Sequence, residues 1–183
     1  MLADAAPPHV PVELELLPGF AELPVFEENA PTLAENAAGK ALHYSRFQAE
    51  LVFADDSGLV VPALGGAPGV HSARYAGVDA PNEKRIEKLL HEMCGLKEKE
   101  RAAHFVCAIA LGQKGRALAI VTDRVDGYIL ETPRVTQGFG YDPVFYFPAL
   151  QKTFAELSPE EKNQHSHRGK SFRKLLAALS SML

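Results

Sequence analysis

Two long runs in the middle of the chain, His104 to Leu111 and Ala117 to Ile129, have the length and residue types of strands, and Gln113-Lys114-Gly115 between them reads as a turn. A hairpin of this length commits whatever sheet it joins to an antiparallel pairing. Around it, helical and extended patterns alternate. A helix is predicted from Thr32, an N-cap with Glu35 three positions later, to about Gln48. Leu51-Val52-Phe53-Ala54 reads as a short buried strand that ends at Asp55-Asp56-Ser57-Gly58. Pro81 to Cys94 reads as a second helix, with Ile86, Leu89, Leu90 and Met93 at helical spacing. Ser166 is placed to cap a last helix from His167 to about Leu179, ahead of a frayed end at Ser180 to Leu183. Gly138 to Pro148 reads as a glycine- and aromatic-rich loop with a short strand. At the start, residues 1–11 read as irregular and Val12 to Leu17 as a strand closed by Pro18-Gly19. Helices interleaved with strands imply an α/β fold, and the hairpin points to a mixed β-sheet flanked by helices.

A chain of 183 residues suits one domain spanning 1–183. Its longest apolar run is about eight residues, against the roughly 18 of a membrane helix, so no membrane association is expected. No basic segment precedes an apolar stretch as in a signal peptide, which points to a cytoplasmic protein. Cys94 and Cys107 have neither disulfide-framework nor metal-site spacing and read as small buried hydrophobes. The net charge of −4 argues against a nucleic-acid partner. Its distribution is uneven: no Lys or Arg precedes Lys40, whereas Lys162, Arg168, Lys170, Arg173 and Lys174 crowd the C-terminal part. A polyanionic ligand would look there for its charge partners.

Four groups of residues could carry chemistry, and each has a plain alternative. Asp55-Asp56-Ser57-Gly58 is either a turn or a pair of carboxylates at a strand end where Mg²⁺ and phosphates could reach them. Glu35 is either a capping residue or a second metal ligand, the latter only if its helix packs beside Asp56. Gly138-Phe139-Gly140-Tyr141-Asp142-Pro143 is either a turn with core aromatics or a loop whose rings offer flat faces to a base. Lys162 and Ser166-His167-Arg168-Gly169-Lys170 form either a solvated helix start or an anion site with donors for a purine carbonyl. The remaining histidines show no ligand spacing.

Taken together and in order, these blocks resemble the inosine/xanthosine triphosphate pyrophosphatase family. The resemblance is carried by Phe53 to Leu59, Gly65 to Gly77, Gly138 to Phe145, Lys152 to Lys162 and Ser166 to Gly169, with Thr32 to Ala37 similar to the family's Thr-Phe-x-Glu-Asn-Ala helix start. It implies an α/β fold with an elongated mixed sheet, two lobes and a nucleotide cleft between them, as a homodimer. It implies hydrolysis of the purine nucleoside triphosphates dITP, ITP and XTP to monophosphate and pyrophosphate with Mg²⁺. By position, Asp56 would be the catalytic base and a metal ligand and Glu35 the other metal ligand. Ser57 would contact substrate, and Phe139, Gly140, Tyr141 and Asp142 would form the base loop. Lys162, His167 and Arg168 would bind the nucleotide, the last two reading the base.

One departure carries weight. The family's Ser/Thr-x-x-Asn-x-x-Lys phosphate loop has no counterpart in Met1 to Val12, so the triphosphate would rest on Mg²⁺, Lys162 and Arg168. The expectation is that the missing strand and loop are encoded upstream of Met1, the alternative being a divergent form that binds nucleotide with weak or no turnover. A Maf-like pyrophosphatase with a different base preference is a further alternative.

Overall fold

The computed structural model describes residues 13–135 and 138–182, and expectations placed on Met1 to Val12 or on Leu183 lie outside them. The elements run α1 (Leu33–Tyr44), β1 (Val52–Val60), α2 (Asn82–Glu92), β2 (Ala102–Gln113), β3 (Arg116–Ile129), β4 (Phe145–Phe147), β5 (Lys152–Thr153), α3 (Pro159–His165) and α4 (His167–Ser180), with short 3₁₀ turns between. The strands form one sheet in the order β1-β2-β3-β4-β5, and each described pairing is antiparallel. Among the described residues, sheet neighbours are chain neighbours, and no crossover that would create a parallel pair occurs there. The α/β architecture with an elongated sheet flanked by helices is therefore present; the parallel component of a mixed sheet is not among the described residues.

The hairpin at the centre closes through Lys114 and Gly115, both left-handed at φ 50 and 73, the conformation that matches strand twist in a two-residue turn. Side chains of β2 alternate across the sheet. On one face Ala108 and Ala110 pack under Leu33, Ala37 and Ala41 of α1, whose four-residue spacing makes a single stripe. On the other face Cys107, Ile109 and Leu111 pack under Leu175 and Leu179 of α4. A larger cluster gathers Leu59, Ile86, Leu89, Phe105, Phe145 and Phe154 around α2 and β4.

Both long helices start where the sequence places them: Thr32 Oγ1 accepts from the Glu35 N–H at 3.1 Å and Ser166 Oγ from the Gly169 N–H at 3.1 Å. Four expectations need correction. Helix α1 ends at Tyr44 rather than near Gln48, because Tyr44 turns inward onto Phe20 and the chain must reverse to enter β1. Glu13 to Leu17 forms no strand, and Leu14 and Leu16 are exposed to solvent. Cys94 is exposed, just beyond the end of α2, while Cys107 is buried. Asp55 to Gly58 is not a loop: β1 continues through it in register with β2, from Val52 opposite Gly112 to Val60 opposite His104. Ladder hydrogen bonds satisfy the backbone there, which outweighs the turn preference of Asp, Ser and Gly.

Gly58 has a steric task. A Cβ at this position would lie 2.4 Å from the Gly69 carbonyl oxygen and 3.0 Å from Ser72 Oγ. The Gly58→Ala variant must push the 3₁₀ turn Gly69–Arg74 off the strand, at a cost of about 1–3 kcal/mol. Thermal denaturation should show Tm lower by roughly 3–10 °C, and an unchanged Tm would mean the turn yields freely.

Candidate active site

Strand alternation sends the adjacent carboxylates of β1 to opposite faces of the sheet. Asp56 turns toward α1, where Lys40 Nζ stands 3.6 Å from its Oδ1 and 3.0 Å from Glu28 Oε1. Asp55 turns toward α4, where its Oδ2 accepts from Arg168 Nε at 3.1 Å and lies 3.0 Å from Arg168 Nη2. Ser57 Oγ donates to the same Asp55 oxygen at 3.3 Å. Asp56 Oδ2 is buried and has no partner among the described residues. Burial pushes the Asp56 carboxyl above the usual carboxylate range; Lys40 and Asn36 pull it back, and Glu28 pushes it further up.

The 3₁₀ turn Gly69–Arg74 ties three parts of the site together. Ser72 Oγ accepts from the Leu59 N–H at 2.9 Å and donates to the Gly69 carbonyl at 2.6 Å. Tyr141 donates its hydroxyl to the Ser72 carbonyl at 2.9 Å. Arg74 Nη2 donates to the Glu28 carbonyl at 2.9 Å, which holds the segment before α1 against the turn. The loop after Gly138 is thereby anchored through Tyr141, which is buried, while Phe139 is 72% exposed. Of the two rings expected to offer a face, only Phe139 is free to do so.

Asp142 is buried and accepts from Lys162 of α3. Its carboxyl is pushed up by desolvation, with the Lys162 ammonium drawing it back. His167, the first residue of α4, lies flat against Phe105 with ring centroids 4.7 Å apart and an interplanar angle of 10°. Burial, reinforced by the Arg168 and Lys162 cations, lowers its pKa to about 3, so it is a neutral imidazole at neutral pH. Such a ring carries one donor and one acceptor nitrogen, and its Nδ1 is buried without a partner among the described residues.

A cleft of about 720 Å³ is lined by Asp56, Ser57, Phe139 to Asp142, Lys162, His167 and Arg168, and also by Glu28, Lys40 and Arg85. The acidic strand and the cationic helix start thus face one cavity, although they are more than a hundred residues apart in sequence. Glu35 does not line it. Its carboxylate accepts from Thr32 Oγ1 at 2.7 Å, at the start of α1 and outside the residues that line the cleft. The acidic neighbour of Asp56 is Glu28, which shares Lys40 with it and lies in the segment before α1, outside any helix or strand. Neither Glu28 nor Lys40 was expected from the sequence, and the cleft is less dependent on Lys162 and Arg168 for positive charge than expected. Helix spacing held a clue: Lys40 follows Asn36 and Ala37 by one turn, and Asn36 and Ala37 face the sheet.

A family model for the Ham1 family matches residues 2–178. The chain belongs to the Ham1 family. Among the relatives of this Ham1 chain, a dITP/XTP pyrophosphatase of Geobacillus kaustophilus is 54% identical over 164 residues, covering 90% of the chain and 80% of that relative. One of the same name from Bacillus subtilis is 44% identical, covering 89% and 81%. A solved HAM1 protein of Coxiella burnetii superposes with a TM-score of 0.81 at 42% identity, covering 87% of this Ham1 chain and 82% of the other.

The raised Asp56 carboxyl is testable without substrate. In metal-free protein, a carbon-detected NMR titration should find Asp56 ionising above an ordinary aspartate, near 3.9. Since Lys40 favours the charged form, Lys40→Met should move the midpoint further up. A midpoint unmoved or lowered would mean that the ammonium does not act on this carboxylate.

Proposed function

We propose that this chain is one nucleotide pyrophosphatase domain that hydrolyses dITP, ITP and XTP to the monophosphate and pyrophosphate in the cytoplasm. The observation that carries the reading is the single cleft in which Asp56, Glu28 and Lys40 face Phe139, Lys162, His167 and Arg168. No helix among the described residues is long and apolar enough to cross a membrane. The names of the relatives favour purine substrates over the pyrimidine alternative.

Water must attack between the α- and β-phosphates. Asp56, half-buried with Oδ2 buried and unpartnered among the described residues, and with a raised pKa, is suited to orient that water and accept its proton. No cluster of three or more metal-ligating side chains occurs among the described residues. Two carboxylates with room for phosphate oxygens and water is how Mg²⁺ is commonly held, and Asp56 and Glu28 would hold it here. Bound there, Mg²⁺ would supply positive charge against that developing on the phosphate oxygens. Lys40, Lys162 and Arg168 add to it from the protein. Arg168 keeps N–H groups free of Asp55 that could meet a base carbonyl. Phe139 offers a face for stacking, and Ser57 a hydroxyl beside the phosphates. Donors directed at the purine 6-oxo group would reject adenine, whose amino group sets donor against donor.

For the assembly we propose a homodimer through β3, where Leu118, Ile120 and Tyr128 lie on one face and remain exposed. Light scattering should find a dimer that Ile120→Lys converts to monomer; a wild-type monomer would remove this assignment.

The reaction is tested by pyrophosphate release from ITP with Mg²⁺. Asp56→Asn should lower kcat by roughly 10²- to 10⁴-fold without loss of fold. Glu28→Gln should raise the Mg²⁺ concentration required, whereas Glu35→Gln should leave turnover in place and cost about 1 kcal/mol of stability at most. Binding of ITP without release by the wild type would favour the non-catalytic alternative.

A further inference from the structure

Four cationic side chains line the cleft, and three of them already face carboxylates. Lys40 faces Glu28 and Asp56, Lys162 faces Asp142, and Arg168 faces Asp55. Arg85, on α2, differs. Its Nη1 donates to Asn82 Oδ1 at 3.1 Å, one turn earlier on the same helix. Its Nε is buried and has no acceptor among the described residues, and its fork meets no carboxylate among them. A buried N–H without an acceptor is costly, and a ligand atom that accepts there would recover the cost.

The position of Arg85 narrows what that atom could be. Burial pushes the Tyr141 phenol above its ordinary range, and Arg85 is the charge that most opposes this. Asp56, Asp55 and Asp142 answer instead to Lys40, Arg168 and Lys162. Tyr141 packs in one cluster with Ile86 and Leu89 of α2, the helix that carries Arg85, and both Arg85 and Tyr141 line the cleft. Arg85 thus enters from the root of the loop that carries Phe139, and no ion pair joins it to the carboxylates among the described residues. We propose that Arg85 reads the 2-position of the purine, donating to the 2-oxo group of xanthine and opposing the 2-amino group of guanine. This rests on the pyrophosphatase reading and extends it.

The chemistry explains what 6-oxo recognition cannot. Hypoxanthine, xanthine and guanine share the 6-oxo group, so donors aimed there treat them alike. At the 2-position they differ: hypoxanthine has a C–H, xanthine an acceptor and guanine a donor. A guanidinium only donates. It matches xanthine, tolerates hypoxanthine and sets donor against donor with guanine. Xanthine also loses a ring proton more readily than the other two, and the resulting negative charge lies beside the 2-oxo group, where a guanidinium is favourable.

The test is pyrophosphate release by the full chain from XTP, ITP and GTP, comparing wild type, Arg85→Ala and Arg85→Lys. Arg85→Ala should lower the XTP-to-ITP ratio of kcat/KM by roughly 10- to 100-fold and narrow the gap between XTP and GTP. Arg85→Lys, which keeps the charge but not the fork, should fall between. Ratios within one variant do not depend on how much of it folds. Equal losses on all three nucleotides would assign Arg85 to the phosphates or to packing and overturn the proposal. If the wild type releases no pyrophosphate from any of them, the reaction assignment fails, and calorimetry with XMP and IMP still decides this point. A preference for XMP that disappears in Arg85→Ala supports the proposal, and one that persists or never existed overturns it.

Discussion

The β1–β2 ladder is the constraint on which the site depends. Because Asp55 and Asp56 lie in register opposite Ile109 and Ala108, the strand repeat sends one carboxylate to α1 and the other to α4. Each then meets its own cation, Lys40 or Arg168. In a flexible loop the two acids would compete for the same partners. Held in a paired strand, they become separate electrostatic sites on the rim of a single cleft. The small residues Ala108 and Ala110 beneath α1 let that helix approach closely enough for Lys40 to reach across.

The cleft is also close to self-neutralised. Lys40, Lys162 and Arg168 are matched to carboxylates, and burial works against ionisation of Asp56 and Asp142. A polyanion entering such a cavity exchanges protein partners for its own phosphates instead of meeting bare charge. The neutral state of His167 has the same origin: a half-buried ring stacked on Phe105, with two cations nearby, is held well below its ordinary pKa. A neutral imidazole is a directional hydrogen-bonding group, better suited to reading a base than to holding a phosphate.

Much of this was legible along the chain, for local reasons. Thr32 and Ser166 cap their helices as their spacing implied, and the Lys114-Gly115 turn pairs the two longest strands. The same kind of signal was present and unread at Ser158-Pro159-Glu160-Glu161, a capping box with proline at the first helical position that starts α3. Where local preference met a long-range pairing, local reading failed: Asp55 to Gly58 has the composition of a turn and the structure of a strand. Glu35 failed for the opposite reason. Thr32 caps the helix as read, but the Glu35 carboxylate meets the Thr32 hydroxyl rather than the cleft.

The order of residue types along the chain by itself determined the family, the α/β class, the hairpin and the blocks from which the site is assembled, because caps, turns and strand runs are set by neighbours within a few positions. Only the tertiary structure decided that Glu28 rather than Glu35 stands beside Asp56, that Lys40 is the cation between them, that Tyr141 is an anchor and Phe139 a free face, and that Arg85 enters the cleft with its Nε lacking an acceptor among the described residues. Each of those depends on how segments distant in sequence are placed against one another. Which side chain fills such a contact depends on strand register and helix rotation, and neither is encoded in any single stretch of the chain.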